Sequence, residues 1–410
     1  MNINSAQIFA MALGLPSPWF IKGIELKNDE KQKVLHIHID FEVGAKFPDE
    51  SGQLCSVYDT REKDWRHLNF FEHHCYLHCR VPRIKNQSGK VTQITVPWSR
   101  EGSGFTLMFE AFVMALIEGE MPVNKIGQLL GENPHRLWTI FNYWIQLAYK
   151  KFKPGDIERM GIDETSSRKG HNYITVAVDL DAYRVFHAVE GKGKHTIKQV
   201  KNYLEKTGSD VEAIKHVSID LSPAFIAGVG ESFPRAAIHF DKFHLIQLLN
   251  KAMDEVRKKE RKEHKILSGY KYVFLKNHSK LSAAHTEKLN ELITLLPTLG
   301  EAYRLKQLFY DLWDMKTPEE AKSFIDFWCK EVEKSNIPPF ISFSKTIKSH
   351  LSGIIHFMKA HISNGILEGI NSKIQLAKRR ARGYRKVENL INMVYFLCGK
   401  LTFDYPHYPA

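Results

Sequence analysis

Five cysteines in 410 residues, Cys55, Cys75, Cys79, Cys329 and Cys398, are few and odd in number. That excludes a disulfide framework and points to a reducing, intracellular setting. No run of about 18 apolar residues occurs, so neither a membrane-spanning helix nor a membrane partner is expected. The first residues, MNINSAQIFAMALGLPSPWF, lack a basic n-region and a small-residue cleavage site, which argues against a secretory signal. Compositional bias is missing too. With 43% hydrophobic and 25% charged residues the chain matches soluble globular proteins, which excludes wholesale disorder and fibrous architectures.

What is present is length and positive charge. A chain of 410 residues predicts more than one folding unit. Lys plus Arg number 58 against 46 Asp plus Glu, a net charge of +12 that favours a polyanionic partner, nucleic acid before an anionic surface. Residues 33–43 alternate, with Leu35, Ile37, Ile39, Phe41 and Val43 on one side and His36, His38, Asp40 and Glu42 on the other, the pattern of a half-buried strand. The following stretch to about 100 reads as irregular and His-rich, so residues 1–100 are expected to form a small β-rich module.

Over 104–151 the period turns helical, starting with Phe105, Met108, Phe109, Phe112 and Val113. Val123, Ile126, Leu129 and Leu130 then make a short amphipathic helix, and Gly131 with Asn133-Pro134 breaks it. Leu137, Ile140, Phe141 and Trp144 begin another. Two short helices about a Gly-containing turn predict a helix-turn-helix. Its second helix offers His135, Arg136, Thr139 and Asn142 to the phosphates or base edges of double-stranded DNA. An ordinary αα-hairpin carries the same pattern.

Pro154-Gly155 marks a boundary, and the order of elements after it is informative. Strands are expected at 157–163, 173–178 and 184–189, then a helix at 196–206, a strand at 215–220, a short helix at 223–229 and a strand at 236–240. Three strands followed by helix, strand, helix, strand is the order of an α/β ribonuclease-H-like fold. Residues from about 245 to 361 read as a helical insertion, and a closing helix near 366–381 completes a domain over 156–402.

This fold brings its first and fourth strands side by side, so Asp163 in GIDET and Asp220 in SIDLS would converge at one sheet edge. Glu368, the one acid in the closing-helix stretch NGILEGINSKI, would be the third, with Asn371 and Gln375 on the same helix face. Three converging carboxylates suit two Mg²⁺ ions, with Mn²⁺ as a substitute, and that is phosphoryl-transfer machinery for nucleic acid. Taken singly, each acid also fits a solvated turn or a helix cap. Asp241 and His244 in FDKFH are read as supporting residues, although Asp241 equally fits a helix N-cap. Glu164, Asp179 and Asp181 are read as loop and turn residues. Ser372–Lys386 carries Lys373, Lys378, Arg379, Arg380, Arg382, Arg385 and Lys386 with no acid, a stretch suited to gripping DNA backbone beside Glu368.

The blocks GIDETSSRKGHNYITVAVDLD, SIDLSPAFIAGV, FPRAAIHFDKFH and LEGINSKIQLAKRRARGYR, with DWRHLNFF and VPWSREGSGFTLMFEA upstream, resemble bacterial insertion-sequence transposases of the DDE class, ISL-three lineage. The resemblance runs from about residue 6 to 400. It implies that Asp163, Asp220 and Glu368 are the DDE triad, catalysing DNA cleavage and strand transfer at terminal inverted repeats. It also implies a bacterial cytoplasmic, nucleoid-associated protein acting as a homodimer. The family's N-terminal zinc module has paired cysteines where this chain reads KFPDESGQLC and VPRIKNQSGK, so only Cys55 is near an expected place. His74, Cys75, His78 and Cys79 lie within six residues and make a poor tetrahedral set, which leaves zinc doubtful and the module degenerate. A ribonuclease-H-fold nuclease without strand transfer, or a catalytically silent DNA-binding regulator derived from a transposase, would share most of these features.

Overall fold

A computed structural model of the chain describes residues 4–28, 33–168, 170, 172–240, 242–360 and 365–404, the side chains of 357–360 excepted. The chain divides into two compact units, one holding the residues up to Lys150 and those from Leu401, the other Lys151–Lys400.

The first unit opens with α1 (Ser5–Ala12) and a sheet of β1 (Trp19–Asn28), β2 (Lys33–Phe41), β3 (Lys46–Pro48), β4 (Leu54–Phe70), β5 (His73–Lys85) and β6 (Val91–Gln93). The strand order is β1-β2-β5-β4-β3, with β6 paired to β5. The stretch expected to be irregular is therefore mostly strand. The long strand β4 escapes the alternation test because half of it is exposed and carries polar runs such as Arg61–Asp64, while the backbone ladder to β5 pairs whatever the side chains are; β5 itself does alternate. Cys75, Leu77, Cys79 and Val81 alternate into the core beneath, beside Ile37 and Trp65. Burial pushes the Cys75 and Cys79 thiols up to about 12. The period of two turns His74 and His78 to the opposite face, so these four nitrogen and sulfur side chains do not converge.

Three helices follow: α2 (Leu107–Glu118), α3 (Val123–Leu130) and α4 (Pro134–Lys151). Phe105 lies ahead of α2, whose N-cap is Thr106. The buried stripe of α3 is Val123, Ile126, Gly127 and Leu130, and Leu129 is left 56% exposed rather than sharing it. Gly131 ends α3 at φ 66°, where a side chain would be strained, and a Cβ there would fall 2.6 Å from His74 Nε2 of β5. The turn between α3 and α4 thus lies directly on the sheet. Glu110 of α2 is fully buried and accepts from Trp144 Nε1 of α4 at 2.8 Å, Ser103 Oγ at 2.6 Å and Arg100 Nε at 2.9 Å.

The second unit is built on a five-stranded sheet of β7 (Arg159–Arg168), β8 (Asn172–Asp179), β9 (Arg184–Glu190), β10 (His216–Ile219) and β11 (Ala237–Phe240), in the order β11-β10-β7-β8-β9. The pairs β7–β8 and β8–β9 are antiparallel, whereas β10 runs parallel to both β7 and β11. The helices α5 (Lys194–Thr207) and α6 (Pro223–Ser232) supply the connections. Helical segments α7 (Lys242–Glu263), α8 (Lys271–Leu275), α9 (Ala283–Leu295), α10 (Pro297–Tyr310), α11 (Pro318–Ser335), α12 (Pro338–Ser349) and α13 (Leu351–Ala360) follow β11. One core joins them to the sheet: Met160, Ile162 and Ile219 share a cluster with Leu249, Leu305, Trp328 and Phe340. Amphipathic helices this short cannot bury their own stripes, so the insertion needs the sheet face to close on.

The chain then forms α14 (Gly365–Arg380) and α15 (Val387–Cys398). Tyr395 of α15 covers the free edge of β9, its hydroxyl accepting from the Ala188 N–H at 2.9 Å and donating to the Ala188 carbonyl at 3.1 Å. An edge strand so blocked cannot pair with another chain at that position.

His187 of β9 stacks on Tyr203 of α5, ring centroids 4.3 Å apart, and burial pushes its pKa down to about 4. An unfolded chain holds histidine near 6.5, so between pH 6.5 and 4 the unfolded state binds the extra proton. This contribution is complete above pH 6.5 and lost as pH falls through 4, at about 1.4 kcal/mol per pH unit and up to about 3 kcal/mol in all. Replacing His187 with Gln is expected to flatten the acid limb of unfolding midpoint against pH; an unchanged limb would show that another group sets it.

Candidate active site and nucleic-acid interface

Met160 and Ile162 face the main core, so the alternation of β7 turns Gly161, Asp163 and Thr165 to the other side of the sheet. Asp163 does not end the strand, as the sequence suggested, because β7 runs on to Arg168 in register with β8. The β10 ladder does stop short. His216, Val217 and Ser218 pair with Arg159, Met160 and Gly161, and continuing that register by two residues sets Asp220 level with Asp163. Asp220 follows directly on β10, and its Oδ1 accepts from the Ser222 N–H at 3.0 Å as the chain turns into α6.

The helix α14 lies along β7 on this face. Gly161 makes room for it, since a Cβ there would come within 2.9 Å of Leu367 Cδ2. Asn371 Nδ2 donates to Asp163 Oδ2, Gln375 Nε2 donates to Thr165 Oγ1 at 2.7 Å, and Lys378 Nζ donates to the Ser166 carbonyl and, at 3.2 Å, to Ser166 Oγ. The spacing explains the match. Seven helical residues rise about 10 Å, as do three residues of a strand, so helix and strand stay in step from Asn371 to Lys378. Glu368 is one turn ahead of Asn371 on the same face and is exposed.

Burial pushes the Asp163 carboxyl above its ordinary range; the Glu164 N–H, His244 and Asn371 pull it back, and Asp220 pushes it the same way as burial. Glu164 is raised as well, by burial first, with Lys192 opposing and Asp220 and Asp163 adding to the rise. The structure thus brings Asp163, Asp220, Asn371 and His244 of the first turn of α7 into one electrostatic neighbourhood. Glu368 stands on the adjoining helix face. Among the described residues no three His, Cys, Asp or Glu side chains are close enough to hold a metal ion as they stand. Asp241 lies outside the described residues.

The basic stretch is divided by the helix. Lys378 is half-buried and committed to β7 rather than to solvent. Lys373 and Arg380 are exposed but lie about 120–140° around α14 from Glu368. Arg379 is exposed nearer the azimuth of Glu368, and Arg382, Arg385 and Lys386 are exposed beyond the helix end. On α4, Thr139 is exposed and its Oγ1 bonds the His135 carbonyl at 3.1 Å, while Asn142 is half-buried. Arg136 is folded back, 2.8 Å from Glu132 and 4.2 Å from the centre of the Phe105 ring.

Two features were missed in sequence. Glu164 is a half-buried strand residue beside the carboxylates, not a loop residue; the polar run DETSSR concealed that the strand continues. Lys378 read as free charge because its partner is a backbone carbonyl 212 residues away. The signal for it was present in the Glu368-Asn371-Gln375-Lys378 spacing, which places four polar residues on one helix face.

Residues 160–394 match the ISL3 DDE family, described as "Transposase", and residues 94–145 match the "Helix-turn-helix domain of transposase family ISL3". The chain belongs to the ISL3 family of insertion-sequence transposases. It is similar to the transposase for insertion sequence element IS1557 of Mycobacterium tuberculosis, 25% identical over 425 aligned positions that cover 95% of this chain and 94% of the relative. It is also similar to the transposase for insertion sequence element IS1001 of Bordetella parapertussis, 25% identical over 384 positions covering 90% and 93%. ISL3 membership makes this chain a transposase, a DNA-cleaving class of enzyme, with a helix-turn-helix DNA-binding domain. Among the described residues no helix is long and apolar enough to cross a membrane.

Proposed function

We propose that the chain cuts DNA at the ends of its insertion sequence and joins them to a target, with Asp163, Asp220 and Glu368 as the acidic triad of a ribonuclease-H-like domain over residues 156–402. The observation that carries this reading is the β7–β10 register, which sets Asp220 level with Asp163 on the face where α14 lays Asn371 against Asp163. The strand order, three antiparallel strands followed by two parallel ones, supports the fold assignment.

The donor set fits Mg²⁺ or Mn²⁺: hard carboxylate oxygens, two of them side by side and partly buried, in an arrangement that raises the Asp163 pKa until a cation relieves it. Asp163, Asp220 and Glu368 would hold two such ions, which would supply charge neutralisation at the scissile phosphate and an activated oxygen nucleophile. The chain's own residues do the positioning. Asn371 orients the Asp163 carboxylate, the Ser222 N–H fixes Asp220, and Gln375 and Lys378 keep α14 in step with β7 so that Glu368 stays in reach. Hydrolysis of the end phosphodiester leaves a 3′-hydroxyl. Attack of that hydroxyl on a target phosphodiester forms one phosphorus–oxygen bond and releases a target 3′-hydroxyl. Arg379, Arg382, Arg385 and Lys386 neutralise backbone near the reaction, and the helix-turn-helix over 104–151 reads the element's ends with the Thr139 and Asn142 face of α4. Two ends must be held together, so the working assembly is a homodimer.

The test is a purified reaction with a fragment carrying the element's ends, target plasmid and Mg²⁺. Mg²⁺-dependent cutting with a joined donor–target product is expected. Cutting without joining would make the chain a nuclease, and a gel shift without cutting would make it a regulator.

A further inference from the structure

The loop after β9 reads Gly191-Lys192-Gly193-Lys194 and stands at the same end of the sheet as Asp163 and Asp220. It is anchored from two sides. The Gly191 N–H donates to the Tyr173 carbonyl at 2.7 Å, and the Gly191 carbonyl accepts from Thr175 Oγ1 at 3.0 Å, so the loop is pinned to β8. A Cβ at Gly193 would lie 3.8 Å from Ala224 Cβ, in the first turn of α6, the helix that begins three residues after Asp220. Thr196 Oγ1 closes the base, bonding the Gly193 carbonyl at 2.7 Å and Thr175 Oγ1 at 3.0 Å. Gly191 and Gly193 have φ of 106° and 113°, values that residues with side chains rarely adopt.

Lys192 at the tip is exposed, yet its ammonium has a defined place, 4.1 Å from the centre of the Tyr173 ring and 3.9 Å from Glu164 Oε1. At that distance the pairing with Glu164 is an ion pair without a hydrogen bond. Lys194, the loop's other cation, is paired with Glu231 of α6. Glu164 is the residue after Asp163 and lies close enough to Asp163 and Asp220 to feel both charges, so Lys192 stands within the same electrostatic neighbourhood.

We propose that Lys192 binds a phosphodiester oxygen of the DNA strand being cut or joined, immediately beside the acidic triad; this rests on the function proposed above. Of the loop's two lysines, Lys194 is taken up by Glu231 of α6, which leaves Lys192 as the one facing Glu164, next to Asp163. Tyr173 and Glu164 keep the ammonium there before DNA arrives, which lowers the ordering cost of the contact.

The experiment uses the full chain with an element-end fragment and Mg²⁺. Lys192→Ala is expected to slow cutting by roughly 10- to 100-fold, the size of one charge-assisted hydrogen bond, and Lys192→Arg to restore most of it. Uncharged methylphosphonates placed singly around the cut give the decisive readout. At the contacted phosphate the wild type should lose rate and Lys192→Ala should lose no more. Wild-type cutting by Lys192→Ala, or independent losses at every methylphosphonate, would overturn the contact. If the Glu164→Gln/Lys192→Ala double variant regained the full rate, Lys192 would be only the counter-ion of Glu164. The methylphosphonate series on wild type and Lys192→Arg stands even if the alanine variant folds poorly. Normal cutting by Asp163→Asn would defeat the triad instead, whatever Lys192 does.

Discussion

Asp163→Asn is expected to reduce strand cutting by at least about a thousandfold, the several kcal/mol that a metal-held phosphoryl site contributes, while gel-shift affinity for the element's ends is unchanged. The substitution is nearly isosteric, and an amide oxygen can still accept from the Glu164 N–H that now bonds Asp163 Oδ1 at 2.7 Å. It also removes a buried carboxyl from beside Asp220, where burial and that neighbour already raise its pKa. The thermal midpoint should therefore stay level or rise, since such sites hold like charges together for function rather than for stability. Loss of cutting with stability retained is the signature of a reacting-site residue. A large fall in midpoint would make Asp163 structural, and retained cutting would sink the triad.

The second large effect is expected at Arg66, in the unit that carries the helix-turn-helix. Its side chain is 1% exposed. It donates to the His67 carbonyl and Asn69 Oδ1, to the Cys75 carbonyl at 3.3 Å and to the Leu130 carbonyl at 3.4 Å, with Nε 3.6 Å from Glu132 Oε1. Its backbone bonds Gly104 and Thr106 at the entry to α2. One residue of β4 thus holds the α3–α4 turn and the start of α2 against the sheet. Arg66→Met would leave the buried Glu132 with Arg136 as its remaining cation and the Leu130 carbonyl without its donor. Losing this buried guanidinium and its hydrogen bonds to backbone costs about 3 kcal/mol, roughly a 10 °C fall in the midpoint of a unit this size. Calorimetry on the full chain checks it. The Arg66→Met/Glu132→Met double variant should recover part of the loss, because the buried carboxylate that shared Arg66 with Arg136 is gone; if it recovers none, hydrogen bonds to backbone rather than the ion pair account for the effect.

Arg66 also shows why part of this molecule could not be read in advance. In DWRHLNFF it is one arginine among charged neighbours, and nothing local distinguishes it from a solvated one. The same holds for Lys378, whose acceptor is a carbonyl of strand β7, and for the contacts of Arg136 with Glu132 and Phe105, made while about half of its side chain stays exposed. Long side chains have several reachable partners, and the choice among them is made by elements far away in sequence. Glu164 failed for a different reason. Strand β7 loses its apolar alternation at Asp163, so the periodicity that reveals half-buried strands falls silent at the point where the candidate site begins.

By itself the sequence determined where the helices of the first unit break, since Gly131 and Pro134 act through local backbone geometry. It also determined the order of elements after residue 156 and the helix face that holds Glu368, Asn371 and Gln375, because a period of 3.6 is a local property. Only the tertiary structure decided which of those residues meet. The level of Asp220 with Asp163 depends on the parallel register of β7 and β10, and the reach of α14 to Asp163 depends on the space left at Gly161. Both are contacts across more than fifty residues, set by packing and hydrogen-bond registry rather than by any pattern within a segment.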